Sequence, residues 1–136
     1  MENKLKIYYA VNLLMESENH LLNEINDKII PKFGEMIPWF GTGPVKDIRT
    51  IYNTDRKAVE SADLIIAEVS YPSHGVGMEI MHAIHIGKPI IAIAQAGKKV
   101  SRMVLGIDYE KFQSYFYTDL TDLENYLGKT IPLTIK

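Results

Sequence analysis

Two hydrophobic rhythms alternate along this chain. Leu5-Lys6-Ile7-Tyr8-Tyr9-Ala10 is short and rich in β-branched and aromatic residues, which predicts a first strand. From Glu16 to about Lys32 the pattern is helical. Leu21, Leu22, Ile25, Ile29 and Ile30 share one face, and Glu18, Asn19, Asn23, Asn26 and Asp27 the other. Pro31 and Gly34 punctuate its end. Glu35 to Pro38 reads as a short second strand, and Trp39 to Asp47, with two glycines and a proline, as a loop. Thr54-Asp55 has the composition of a helix start, opening a helix to about Ser61. Leu64 to Val69 is nearly continuous apolar, as a strand buried on both faces requires. A turn from Ser70 to Gly75 and a helix from Val76 to Ile86 follow, stopped by Gly87-Lys88-Pro89. Pro89 to Ala94 is a second doubly buried strand. A short helix near Val100–Leu105, a strand at Ser114–Tyr117 and a helix at Leu120–Leu127 complete the pattern.

Strands alternating with helices predict an α/β fold: a doubly wound, flavodoxin- or Rossmann-like three-layer sandwich with about five parallel strands. Such sheets bind ligands beyond the carboxyl ends of their strands, near the switch in strand order. The loops after Tyr9, Val69 and Ala94 are therefore the places to look. Residues 1–136 read as one domain, with no internal repeat or low-complexity tract.

Composition narrows the function classes. Of 136 residues, 46% are hydrophobic and 24% charged, the balance of an ordinary soluble globular chain. The net charge of −2 comes from interspersed signs, so no basic block predicts binding to a nucleic acid polymer. With no cysteine, disulfides, thiolate nucleophiles and Cys-based zinc sites are excluded. No signal-peptide pattern or membrane-length apolar run is present, which predicts a cytoplasmic protein away from membranes.

The chemistry concentrates between Ala67 and Glu79. A buried strand ends at Val69, Pro72 turns the chain, and Gly75 and Gly77 open a helix that Ser73 is placed to cap. Backbone amides at such a helix start can bind an anion, and the glycines let a ligand approach closely. Glu79 falls in the first helical turn on this reading. There a carboxylate can serve only to complement the helix dipole. Gly-x-Gly here lacks the third glycine of a dinucleotide fingerprint. Against the dipole reading, Val76, Met78, Ile80, Met81, Ala83, Ile84 and Ile86 make the helix apolar on nearly all sides. That predicts burial in the domain or in an oligomer interface. A carboxylate on such a helix needs a partner or a purpose. His74, His82 and His85 lack the spacing of a helical zinc pair, so no metal or organic cofactor is expected.

Ile51-Tyr52-Asn53-Thr54-Asp55, Ala62-Asp63-Leu64-Ile65-Ile66-Ala67-Glu68-Val69 and Pro72-Ser73-His74-Gly75-Val76-Gly77-Met78-Glu79 together resemble the nucleoside 2-deoxyribosyltransferase superfamily. Within it they are most similar to the 2′-deoxynucleoside 5′-monophosphate N-glycosidase branch. Gly87-Lys88-Pro89-Ile90 and Val100 to Gly106 extend the likeness. The resemblance implies hydrolysis of the bond between base and sugar in (deoxy)nucleoside monophosphates, or transfer of deoxyribose between bases. It implies Glu79 as the nucleophile and Asp55 as the residue that protonates the leaving base or positions the sugar. It implies Tyr8 in the substrate pocket and Ser73 and Ser101 on the 5′-phosphate. The family's second serine comes from a neighbouring subunit, so Ser101 implies a homodimer.

The first loop departs from the branch. Where the branch has Gly-Ser-x-Arg-Gly-Gly, this chain has Val11-Asn12-Leu13-Leu14-Met15-Glu16. Asn12 can replace the serine as a donor, but Leu14 falls where the arginine belongs and cannot neutralise a phosphate. Glu16 is expected to repel one. Trp39-Phe40 stand where the branch has a histidine, offering aromatic surface for a base. Three readings stay open: a nucleotide held by other cations such as Arg49, Lys98 or Arg102; a substrate without phosphate; or a non-catalytic binder of a nucleotide-like ligand.

Overall fold

The computed structural model describes residues 4–39 and 47–135. Most of the expected loop from Trp39 to Asp47, including Phe40, lies outside the described residues. The elements run β1 (Lys6–Ala10), α1 (Leu13–Glu18), α2 (His20–Glu24), β2 (Glu35–Met36), α3 (Ile48–Ser61), β3 (Leu64–Glu68), α4 (His74–His85), β4 (Ile90–Gln95), α5 (Arg102–Leu105), β5 (Phe112–Tyr117) and α6 (Leu120–Thr134). The five strands form one all-parallel sheet in the order β2-β1-β3-β4-β5. That is the doubly wound α/β arrangement, and its order reverses between β1 and β3.

Strand periodicity sorts the core onto two faces. Ile7, Tyr9, Leu64, Ile66, Ile91 and Ile93 pack with Leu22, Ile25, Leu123 and Leu127. Tyr8, Ala10, Ile65 and Ala67 pack on the other side with Val59, Val76, Ile80 and Ala83 of α3 and α4. Ala10, Ala67 and Ala92 are register partners across three adjacent strands. This row of small side chains leaves room at the carboxyl end of the sheet on the α3/α4 side.

Besides the last helix, which runs past Leu127 to Thr134, three sequence expectations change. The helix expected from Glu16 to Lys32 is broken. Asn19 is extended (φ −107°, ψ 112°), and its side chain accepts from the Leu22 amide to start α2. A wide π-type turn, Ile25–Ile29, and a 3-10 turn, Ile30–Lys32, then keep Ile25, Ile29 and Ile30 buried. Second, α3 begins at Ile48 because Asp47 caps it, its carboxylate accepting from the Arg49 amide at 3.0 Å. Asp55 is thus an interior residue of α3 and not a cap. Third, α4 begins two residues earlier than the apolar pattern predicts. Glu79 is therefore its sixth residue, in the second turn, beyond the reach of end-capping chemistry. Nor is α4 buried all round within the chain: Met78 and Met81 are 57% and 58% exposed.

Among the described residues, no helix is long and apolar enough to cross a membrane. Nor do three His, Cys, Asp or Glu side chains gather where they could hold a metal ion.

Candidate active site

A cleft of about 980 Å³ opens at the switch point, over the carboxyl ends of β1 and β3. Tyr8, Asn12, Asp55, Ser73, Gly75, Gly77, Glu79 and Ser101 all line it. Six separate elements and loops bring these eight expected positions together.

At the centre, the Tyr8 hydroxyl donates to Glu79 Oε2. Tyr8 points from β1 toward α4, on the face where the small residues leave room, and is itself buried. Burial pushes the Glu79 carboxyl up to about 7, the charge of Asp55 pushes the same way, and the Tyr8 hydrogen bond opposes both. The Tyr8 phenol is held far above its ordinary value, chiefly by burial and then by the Glu79 charge, so it stays a donor. Two carboxyl groups facing each other from neighbouring helices, with one held near neutrality, form the arrangement that acid–base and nucleophilic chemistry needs.

The Glu79 assignment predicts a pH profile. Attack requires the carboxylate, so kcat/KM should rise as pH passes through about 7, the value to which Glu79 is pushed. Tyr8→Phe removes a bond that favours the charged form, so the rising limb should move to higher pH. Comparing both proteins on one substrate cancels the substrate's own titration. An unmoved limb, or a shift to lower pH, would refute the role of the Tyr8 bond.

Ser73 caps α4, its Oγ accepting from the Val76 amide at 3.2 Å. Ser101 caps α5, accepting from the Met103 amide at 3.1 Å. Each hydroxyl therefore spends a lone pair on the cap and keeps its proton to donate. Asn12 sits differently from expectation. Its Nδ2 donates to the Pro72 carbonyl at 2.8 Å and its Oδ1 accepts from the Met15 amide at 3.3 Å. The side chain thus pins the loop after β1 to the loop after β3. Glu16 is buried and accepts from Asn23 at 3.0 Å, so it is turned away from any anion in the cleft. Leu14 lines the cleft and is 82% exposed. Of the three basic candidates, Arg49, Lys98 and Arg102, none lines it.

Gly75 and Gly77 have open space above them. A Cβ at Gly77 would meet nothing within 4 Å, and one at Gly75 only Ser73 Oγ at 3.9 Å. Packing does not demand glycine at either position, which leaves ligand approach as its use. Gly77→Ala should therefore stabilise the protein by roughly 0.5–1 kcal/mol, as a helix-interior Gly-to-Ala change does, and raise KM. A denaturation midpoint and a KM measured on one sample test both halves. An unchanged KM would remove the glycine from the site.

Three lining residues have partners that the sequence does not reveal. Trp39 donates its indole N–H to the Tyr9 carbonyl at 2.5 Å and tilts against the Tyr9 ring at 5.9 Å. Only its aromatic character was legible. His82 is held by Glu60 at 2.8 Å, and Arg56 reaches the same carboxylate at 3.4 Å. Nothing in the local pattern signals a pairing across 22 residues.

Comparisons with known proteins fit this geometry. No protein-family model matches the chain. It is 40% identical over 86 residues to a Thermofilum pendens protein assigned as a 2′-deoxynucleoside 5′-phosphate N-hydrolase, across 62% of this chain and 60% of that one. It is 35% identical over 88 residues to the 5-hydroxymethyl-dUMP N-hydrolase of Rattus norvegicus, across 60% of this chain and 54% of that one. A Syntrophotalea carbinolica protein with the same assignment as the Thermofilum one is 38% identical over 97 residues, across 70% of this chain and 67% of its own length. The chain belongs to the 2′-deoxynucleoside 5′-phosphate N-hydrolase family. Its match thus spans between about half and two thirds of these N-hydrolases. Two solved structures share the fold. A Clostridium botulinum CMP N-glycosidase superposes with TM-score 0.73 at 20% identity, over 92% of this chain and 98% of that one. A 2-deoxyribosyltransferase of Bacillus psychrosaccharolyticus gives 0.69 at 16%, over 93% and 95%.

Proposed function

We propose that this N-hydrolase family member cleaves the N-glycosidic bond of (deoxy)nucleoside 5′-monophosphates, releasing free base and sugar phosphate. The observation that carries this reading is the Tyr8–Glu79 pair facing Asp55 at the floor of the cleft. Glu79, as carboxylate, attacks the anomeric carbon while the bond to the base nitrogen breaks. The departing base takes its electron pair and receives a proton; Asp55 either supplies that proton or holds the sugar. Positive charge on the sugar in the transition state is met by the carboxylate, which collapses onto it as a glycosyl ester. Water then attacks the same carbon, loses a proton to the acid-base group, and frees Glu79. Tyr8 keeps the nucleophile oriented. Ser73 and Ser101 donate to the phosphate.

The site is proposed to work without metal or organic cofactor, in a cytoplasmic homodimer whose single domain spans residues 1–136. The exposed Met78, Met81 and Met103 support the dimer, since apolar surface of this size on α4 and α5 calls for a cover.

The apolar first loop supports a second reading, in which the substrate has no phosphate and the enzyme is a nucleoside 2-deoxyribosyltransferase. A binding module without catalysis is the third. Incubation of a deoxynucleoside, and separately of its 5′-monophosphate, with and without a second free base separates them. Base release without acceptor supports the hydrolase, release only with acceptor the transferase, and no release in either the binder.

A further inference from the structure

Asp55 and Glu79 serve one bond from two different helices, so the reaction depends on how α3 is held against α4. Parallel strands make each helix return from the carboxyl end of the sheet, so α3 and α4 run side by side in the same direction. On their inner sides, Val59 of α3 packs in one cluster with Val76, Ile80 and Ala83 of α4. Apolar contact of this kind is non-directional and does not by itself fix how far two helices slide or roll.

A directional tie lies a little further along both helices. His82 is three residues past Glu79 on α4, and Glu60 is five past Asp55 on α3. The Glu60 carboxylate can only accept, so the His82 Nε2–H donates to its Oε2, at 2.8 Å. Glu60 is itself held. Arg56, four residues earlier, reaches the same oxygen at 3.4 Å, and Arg56 lies over the ring of Tyr52, four residues earlier again, at 5.9 Å. Tyr52, Arg56 and Glu60 thus form one stripe along α3 that ends on α4. Tyr52, Arg56 and His82 line the cleft together with Asp55 and Glu79. The His82 and Glu60 side chains are 22% and 39% exposed, and ion pairs open to water to that degree add little to stability. Side chains ordered in series, with little effect on stability, beside two carboxylates whose spacing governs the rate, are suited to placement.

We propose that His82 and Glu60 are positioning residues, whose hydrogen bond between α4 and α3 sets the separation of Glu79 from Asp55. This rests on the hydrolase reading of the same site. In this role neither residue bonds to substrate, and both act through the helices that carry the two carboxylates. Their loss should therefore lower kcat and leave KM.

The test measures kcat and KM for base release from one deoxynucleoside 5′-monophosphate, with a urea midpoint for each protein. Wild type is compared with His82→Ala, Glu60→Ala, the double variant and His82→Gln. Each Ala variant should lower kcat by about 10-fold or more, the scale on which a small misplacement acts, and leave KM within about twofold. The urea midpoints should stay close to that of wild type. The double variant should be no slower than the slower single one, because all three lose the same bond. Gln presents its Nε2 near the place of the imidazole Nε2, so His82→Gln should recover most of kcat. A raised KM with kcat kept overturns the assignment, since it makes His82 a substrate contact. Losses that multiply in the double variant, or a Gln variant as slow as the Ala one, also overturn it. An unchanged kcat in both Ala variants overturns it while leaving the hydrolase reading intact. If wild type releases no base, the hydrolase reading and this assignment fall together.

Discussion

Glu79→Gln is expected to lower base release by about 10⁴-fold or more, the scale on which loss of a covalent nucleophile acts. The amide keeps the shape of the side chain and can still accept from Tyr8, so the protein should fold. The variant should in fact be more stable than wild type at pH 8. Glu79 is pushed up to about 7 in the folded chain by burial and by Asp55. Between the ordinary glutamate value and 7 the native state therefore binds more protons than the unfolded state. Stability accordingly falls as pH rises through that window, and removing the carboxylate removes the loss. The gain should be on the order of 1–2 kcal/mol at pH 8 and shrink toward pH 4. Rate measurements on base release, paired with denaturation midpoints at both pH values, check the two halves. A Gln variant that keeps a tenth of the activity would eliminate the covalent route. One less stable at pH 8 than at pH 4, relative to wild type, would refute the burial argument.

The largest stability effect is expected at a carboxylate that takes no part in the reaction. Glu68, at the end of β3, is fully buried. It accepts from the Ser70 amide at 2.7 Å, the Ser70 hydroxyl at 2.8 Å and the Tyr117 hydroxyl at 2.5 Å. Burial raises its proton affinity, while these bonds and the Lys98 charge lower it. The Ser70 hydroxyl also accepts from the Gln95 amide at 2.8 Å, so the network ties β3, β4 and β5 beneath the turn that leads to Ser73. Glu68→Ala strands three buried donors, at about 1–3 kcal/mol each. A loss of at least about 3 kcal/mol is expected in urea or thermal denaturation. Because the Ser70–Ser73 turn sets the start of α4, activity should fall as well. Tyr117→Phe, which strands nothing new and removes one of three bonds, should cost less. Equal losses in the two variants would contradict the network.

The sequence is legible where one physical rule dominates. Leu64 to Ala67 and Ile90 to Ala94 are apolar throughout because the sheet buries both faces, and both strands lie where that pattern predicts. Ser73 caps α4 as its position before Gly75 suggests. The α3 start is hidden in the sequence because Thr54-Asp55 looks like a cap while Asp47, beside the glycine- and proline-rich stretch, makes the bond. The break at Asn19 is hidden in the sequence because the polar residues from Glu16 to Asn19 fit the outer face of the helix that Leu21 to Ile30 predict. Only the side chain's bond to the Leu22 amide ends one helix and begins the next. At the site, the family resemblance implies Glu79, Asp55 and Tyr8, but the Tyr8–Glu79 bond spans 71 positions and belongs to the topology. Asn12 reads in sequence as a donor to ligand. The structure uses both ends of its amide to join two loops.

The most direct test of the account is chromatographic detection of free base. Deoxynucleosides and their 5′-monophosphates are incubated with wild type and with Glu79→Gln, in the absence of any acceptor base. The account predicts base released by wild type alone, and mainly from the monophosphates. Release of equal amounts by the two proteins, or none from any substrate, would contradict it.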